Sequence, residues 1–177
     1  MGPHILLVGG TGMLAGLTET LAADGGRLSL LSRHASRFGH GAQGFDVDYY
    51  DEAAFTSALE AAGPIDLAIA WFHTLKIPAP RRLAEQVGRQ NAPGRLFQVL
   101  GSAAADPACP DRLAAAGTVA KGLPLCRLRQ VVLGFRVEAG RSRWLTDGEI
   151  AGGVLAAVRS DAVHSVVGQV EPWSARP

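Results

Sequence analysis

Four glycines fall between positions 9 and 16, in Gly9-Gly10-Thr11-Gly12-Met13-Leu14-Ala15-Gly16, directly after the apolar run at 4–8. Glycine buries no side chain and costs backbone entropy, so such a cluster implies that another group must approach the main chain closely. Gly10-x-Gly12-x-x-Ala15 satisfies the G-x-G-x-x-G/A dinucleotide fingerprint, and it stands where that fingerprint works, after a strand-like run and at the head of a helical pattern. One glycine permits the tight turn, a second lets a pyrophosphate reach the backbone, and the small third residue lets the helix pack on the strand. The phosphates then lie against free amides at the positive end of the helix dipole. Gly9, Thr11, Met13 and Leu14 complete the loop and join the candidate cofactor contacts.

NAD-binding folds carry an acid about 20 residues further on, where it reads the ribose 2′-hydroxyl. Here the chain reads Leu31-Ser32-Arg33-His34-Ala35-Ser36-Arg37, with no acid. Ser32, Arg33 and His34, with Arg37 one helical turn on, suit a 2′-phosphate through charge-assisted hydrogen bonds. NADP is therefore expected in preference to NAD.

Proton chemistry has fewer candidates. Open α/β sheets bind ligands beyond the carboxyl ends of their strands, which would bring Trp71, Phe72, His73, Lys76 and Ser102 to one crevice. His73 is the acid/base candidate, since an unperturbed imidazole titrates near about 6.5. Lys76 is the alternative if burial lowers its pKa, and Ser102 can polarise a substrate oxygen. His4, His34, His40 and His164 have no carboxylate at metal-ligand spacing, and Cys109 and Cys126 form neither a CxxC pair nor a disulfide framework. No metal is expected.

The elements that must position these residues alternate along the chain. Apolar runs at 4–8, 27–31, 44–47, 66–71, 95–101, 126–137 and 164–170 read as strands, and the stretches 12–24, 51–62, 80–91 and 147–159 as helices. That alternation is the pattern of stacked βαβ units. It predicts a doubly wound, three-layer Rossmann-type α/β fold, a mostly parallel sheet of about seven strands in an order beginning 3-2-1-4-5. Thr146 followed by Glu149 supplies a capping box for the last helix. Pro107 and Pro110 leave room for only a short helix at Asp111–Gly117, and Gly140 suggests a hairpin.

The totals narrow the function classes. With 177 residues, 47% hydrophobic and 19% charged, the chain is expected to form one domain over residues 1–177. A formal net charge of +1 gives no long-range field for nucleic acid or an acidic membrane surface. The N-terminal apolar run is too short for a signal peptide or a membrane span, and two cysteines outside any framework suit a reduced cytoplasmic setting.

The run Ile5–Gly16, the strand ending in Ser32-Arg33-His34, and Phe45-Asp46-Val47-Asp48-Tyr49-Tyr50-Asp51 together resemble the N-terminal half of the short-chain dehydrogenase/reductase superfamily, in its short, atypical branch. The resemblance covers roughly residues 4–105 well and the run at 146–158 only generally. It implies that Asp46, followed by Val47, contacts the adenine, while Asp48 and Asp51 serve helix capping, and that Ser102 matches the family's serine. It also implies a homo-oligomer as an expectation.

The family's Tyr-x-x-x-Lys pair is missing. The only tyrosines are Tyr49 and Tyr50, and the residues four before the two lysines, Lys76 and Lys121, are Phe72 and Gly117. The loop after the fourth strand, commonly Asn-Ala-Gly in relatives, reads Ala70-Trp71-Phe72-His73-Thr74. Three readings follow. The first is an NADP-dependent oxidoreductase acting on a small carbonyl or enone compound through a non-standard site. The second is a non-enzymatic NADP sensor of the same superfamily, and the third an assembly module that has lost its ligand.

Overall fold

The computed structural model describes residues 2–177. The chain runs β1 (His4–Val8), α1 (Ala15–Ala23), β2 (Arg27–Ser32), β3 (Gln43–Asp46), α2 (Glu52–Ala62), β4 (Leu67–Trp71), α3 (Ala79–Gly88), β5 (Gly94–Gly101), α4 (Arg112–Gly117), β6 (Cys126–Leu133), β7 (Phe135–Glu138), β8 (Arg141–Trp144), α5 (Asp147–Ser160) and β9 (His164–Val167). Seven strands form one sheet in the order β3-β2-β1-β4-β5-β6-β9, and every pairing in it is parallel. The expected Rossmann-type architecture and the 3-2-1-4-5 order are what the chain adopts.

The strands read as near-continuous apolar runs because both faces of the sheet are covered. Leu7, Leu30, Ile69, Phe97 and Val131 point to the side where α1 and α5 pack, with Leu17, Leu21, Ile150 and Val154 facing them. Leu6, Val8, Ala68, Ala70 and Leu96 point to the other side, against Phe55 and Leu59 of α2 and Leu83 and Val87 of α3. Full burial of each leucine, isoleucine, valine or phenylalanine among them contributes about 1.5–3 kcal/mol relative to exposure. Small residues set the helix spacing: a methyl at Gly16 of α1 would lie 3.5 Å from Ala151 of α5.

Several element boundaries differ from the sequence expectation, each for a local reason. Helix α1 starts at Ala15, not at 12, because residues 10–14 stay in an open turn. The run 126–137 is two strands, not one. At Gly134 any side chain would run into the backbone of Gln169, so the chain leaves the sheet there and Phe135 turns inward to bridge Gln169. The last strand ends at Val167 rather than 170 because Gly168, at φ +76°, turns the chain back toward that bridge. The segment after Gly134 forms the antiparallel hairpin β7–β8 around Ala139 and Gly140.

The hairpin is held to α5 by charge. Arg143 donates from Nη1 to Glu149 Oε2 at 2.8 Å and from Nη2 to Glu138 Oε1 at 2.6 Å. Glu149 completes the capping box with Thr146, and the hydrogen bond from Arg143, then that from the Thr146 amide, hold its carboxyl down at about 2.

Two positions make the fold testable. His4 is buried at the start of β1, its Nδ1 facing the Pro64 carbonyl and its Nε2 lying 2.9 Å from Ser29 Oγ. A carbonyl only accepts, so Nδ1 carries the proton, Nε2 accepts from Ser29, and the neutral ring satisfies both contacts. Burial, the largest influence, holds the imidazole pKa below its ordinary value. The unfolded chain therefore binds a proton more readily than the native one, and native stability falls as pH drops below about 6.5 toward the lowered pKa and is unaffected by this group above that range. Denaturant titrations between pH 5 and 8 should show that limb in the wild type and a flatter profile in His4→Gln; equal slopes would remove the linkage. Gly44 of β3 lies under the turn at 35–37, where an added methyl would meet backbone atoms of Ala35 and Ser36 at 2.6 Å. Gly44→Ala should cost about 1–3 kcal/mol by overpacking and shift the amide resonances of residues 33–37, as read by denaturation and heteronuclear NMR; wild-type stability with unmoved resonances would show that the turn gives way freely.

Candidate active site

Strand order reverses between β1 and β4, which pair in parallel with Val8 beside Ala70. The connections leaving these two strands run to opposite faces of the sheet, so a crevice opens at their carboxyl ends. The glycine loop fills one wall of it. Gly9 makes the tight turn at φ +77°, and a side chain there would press on the Trp71 carbonyl at 3.2 Å. The turn glycine is therefore Gly9, not Gly10. Gly10 instead serves packing: its α-carbon faces Thr18 of α1 and Leu7 of β1, and an added methyl would come within 2.8 Å of Thr18 Oγ1. Gly12 faces open space, with nothing within 4 Å of where a side chain would begin.

The head of α1 is left available for an anion. Its N-cap, Leu14, offers no side-chain cap, and the first turn carries no acid. Among the described residues, the amides of 10–14 meet no protein acceptor, whereas the next one, Ala15, bonds the Gly12 carbonyl at 2.8 Å. Orphan amides at a helix start are the ordinary basis of phosphate binding.

A cleft of about 510 Å³ spreads from this loop across the ends of β2, β3 and β4. Of the expected cofactor contacts, Gly9, Thr11, Gly12, Met13, Ser32, Arg33, His34, Val47 and Trp71 line it, as does His73. Gly10, Leu14, Ala15, Arg37, Asp46, Lys76 and Ser102 do not. Leu14 is buried in the core beneath the loop. Thr11 donates its hydroxyl to Ser32 Oγ at 3.1 Å, tying the glycine loop to the end of β2.

The basic turn after β2 is built by Asp46. Its carboxylate accepts from both the amide and the hydroxyl of Ser36, and these two bonds, the side-chain one first, lower its pKa. Asp46 thus holds the turn at 35–37 and does not face the cleft; the carboxylate that lines the cleft is Asp48, which also accepts from the Tyr50 amide at 3.0 Å. Asp51 caps α2 by accepting from the Ala54 amide at 3.0 Å, as its position suggested. Arg33 and His34 are exposed on the cleft wall, and among the described residues Arg33 has no carboxylate partner.

Tyr49 and Tyr50 also line the cleft, a role that the spacing from Asp46 could have suggested, since they continue the same strand end. Tyr49 Oη accepts from the His73 amide at 3.4 Å, and its ring meets Phe72 edge-on at 5.2 Å. Partial burial raises its phenol pKa. His73 is exposed with its ring edge-on to Trp71 at 5.9 Å, so it is open to a ligand in the cleft. Lys76 is exposed on the loop beyond, its amide bonded to Thr74 Oγ1 at 3.2 Å.

Ser102 lies apart from the cleft, buried at the end of β5, where its Oγ accepts from Arg176 Nε at 2.9 Å. The position of a tyrosine paired with Lys121 is Gly117, and it faces inward: an added methyl would lie 3.8 Å from both Gln130 and Leu128 of β6. Helix α4 has six residues and is pinned to the sheet by buried glutamines, with Gln98 Nε2 donating to the Ala116 carbonyl and Gln130 Nε2 to that of Leu113.

No family model and no curated protein sequence matches the chain. Solved structures do match it over nearly its whole length. One is ChuY, an anaerobillin reductase from Escherichia coli O157:H7, with 18% identity, TM-score 0.68, and coverage of 96% of this chain and 97% of that one. Another is a short-chain dehydrogenase from Burkholderia cenocepacia J2315 in complex with NADP, with 19% identity, TM-score 0.72, and coverage of 96% and 89%. A third is BdcA in complex with NADPH, with 14% identity, TM-score 0.69, and coverage of 95% and 93%. No helix among the described residues is long and apolar enough to cross a membrane. At these identities the likeness is one of fold: the chain has the Rossmann-type α/β fold of these short-chain dehydrogenase and reductase structures.

Proposed function

We propose that the chain is a single dinucleotide-binding domain of the short-chain dehydrogenase/reductase type, an NADP(H)-dependent oxidoreductase acting on a small carbonyl or enone compound. The observation that carries this reading is the joining, in one cleft, of orphan helix-start amides with Arg33, which among the described residues has no carboxylate partner. Fold neighbours solved with NADP and NADPH support it.

The residues present fit the cofactor. Gly9 and Gly12 leave room for a pyrophosphate at the head of α1, where any side chain on Gly12 would stand in open space. Arg33 pairs with the 2′-phosphate, with His34 offering a ring N–H and Arg37 adding positive charge nearby. Val47, Asp48, Tyr49 and Tyr50 wall the adenine end, taking over the contact that the resemblance assigned to Asp46. Trp71 lines the same cleft from the end of β4. When bound, the reduced nicotinamide supplies hydride to an electrophilic carbon.

The chain's own part in the chemistry is to hold that carbon's oxygen and protonate it. His73 is the exposed imidazole beside Trp71 and takes the role of proton donor. Ser102, buried outside the lining of the cleft, accepts from Arg176 and takes no direct part in that step. Lys76 sits beyond the lining of the cleft and serves neither step directly.

The missing Tyr-x-x-x-Lys pair favours a second reading, an NADP(H) sensor with the same binding site and no turnover. Calorimetric titration with NADPH and NADH tests the common part. NADPH is expected to bind at least tenfold more tightly than NADH, and Arg33→Ala to remove about tenfold of NADPH affinity, as loss of a charge-assisted bond of about 1.5 kcal/mol would, with NADH unchanged. Failure of both dinucleotides to bind overturns both readings. If NADPH binds, oxidation of NADPH against a panel of small ketones, aldehydes and enones, lost in His73→Ala, separates enzyme from sensor.

A further inference from the structure

Ser102 and Arg176 belong to an arrangement outside the dinucleotide cleft. The Arg176 guanidinium donates through Nε to Ser102 Oγ at 2.9 Å and lies over the rings of both Trp144, at 5.0 Å, and Trp173, at 5.2 Å. The four residues come from three separate segments: the end of β5, the end of the β7–β8 hairpin, and the last turn at 173–175 with the residue after it. The hairpin's place is fixed independently, because Arg143, next to Trp144, is paired with Glu149 of the capping box.

The donor geometry points to an anion. A guanidinium has five N–H donors in one plane. Here the indole faces hold that plane without using any of them, and Ser102 uses only the one on Nε. Among the described residues the four protons on Nη1 and Nη2 have no protein acceptor, and no carboxylate pairs with Arg176. What remains is the end-on edge of the guanidinium, two parallel N–H groups at the spacing of carboxylate oxygens. Ser102, an acceptor toward Arg176, has its hydroxyl proton left to donate beside them. Trp144 is 47% exposed, which offers an indole surface to a flat group.

The place also fits a substrate. A methyl at Gly101, next to Ser102, would lie 3.6 Å from the Trp71 ring, and Trp71 also lines the dinucleotide cleft, so the chain segment that carries Ser102 adjoins a wall of that cleft.

We propose that Arg176, Ser102, Trp144 and Trp173 form a carboxylate subsite for a flat, conjugated substrate, the carboxylate taken end-on by Arg176 and the ring or conjugated chain laid against Trp144. The subsite stands on these side chains alone; it rests on the oxidoreductase reading only in assigning the carboxylate to a substrate.

Benzoate is a suitable probe and benzyl alcohol its uncharged counterpart. Titrated into the full chain with and without NADPH and followed by heteronuclear NMR, benzoate should move the Arg176 Nε–H and the Trp144 and Trp173 indole N–H signals saturably. Benzyl alcohol should bind about tenfold more weakly or not at all, as loss of a hydrogen-bonded charge pair implies. Arg176→Gln should lower benzoate affinity about tenfold, and Arg176→Lys, which keeps the charge but not the planar fork, should recover only part of it. Absence of benzoate binding to the wild type, equal binding of benzyl alcohol, or unchanged binding by Arg176→Gln would each overturn the subsite. So would tighter binding by Arg176→Gln, since that result makes Arg176 a plug over Ser102. NADPH shifts in residues 9–16, read in the same samples, report the dinucleotide site separately, so loss of one result leaves the other standing.

Discussion

The parallel pairing of β1 with β4 is the constraint from which the site follows. Strands on one side of this pair are added through α1 and those on the other through α3, so the two connections diverge and leave a gap that no element fills. The gap is narrow at its base. Gly9 lies so close to the Trp71 carbonyl that a side chain could not be placed there without backbone movement, and the positive φ of Gly9 is the second reason for glycine at that position. Two kinds of glycine thus share one short loop. Gly9 and Gly10 are required by the protein's own packing, against Trp71 and Thr18, whereas a side chain at Gly12 would meet no protein atom among the described residues, which is the position that the proposed cofactor would occupy.

This distinction bears on how far the sequence could be read. Alternating apolar runs made the parallel sheet and its order legible, because a strand buried on both faces needs an unbroken apolar run and few other structures do. The glycine loop and the basic turn were legible for the same kind of reason, each being a local signal in a known place. The division of labour inside the loop was not, since G-x-G-x-x-A and G-x-x-G-x-x-A readings overlap in Gly9-Gly10-Thr11-Gly12 and only φ angles separate them. Asp46 was legible as important but not in its role. Its bonds to Ser36 depend on Gly44 letting the turn at 35–37 settle onto β3, a contact between residues that no periodicity connects.

Non-local contacts hid more at the far end of the sheet. The run 126–137 has strand composition throughout, and only the backbone of Gln169 crossing beside Gly134 shows why it must divide. The division has a functional consequence. By leaving the sheet at Gly134 the chain gains the β7–β8 hairpin, and the hairpin carries Trp144 to a position over Arg176.

The missing Tyr-x-x-x-Lys pair can be understood in the same terms. Such a pair needs a helix long enough to present two residues one turn apart to the crevice, and α4 has six residues, with its Gly117 position turned toward Gln130 and Leu128. Substituting tyrosine at Gly117 would therefore drive a phenol into the packing against β6 rather than toward a cofactor, so the pair cannot be restored by one change of side chain. Positive charge near Ser102 is supplied from another direction, by Arg176, whose position depends on two tryptophans and not on a helix. Arginine remains protonated at any pH at which the protein folds, so it can stabilise negative charge on a substrate oxygen or carboxylate but cannot itself deliver the proton. Under the reading proposed above the proton donor is then a separate group, and His73, an exposed imidazole beside Trp71, is the side chain proposed for it.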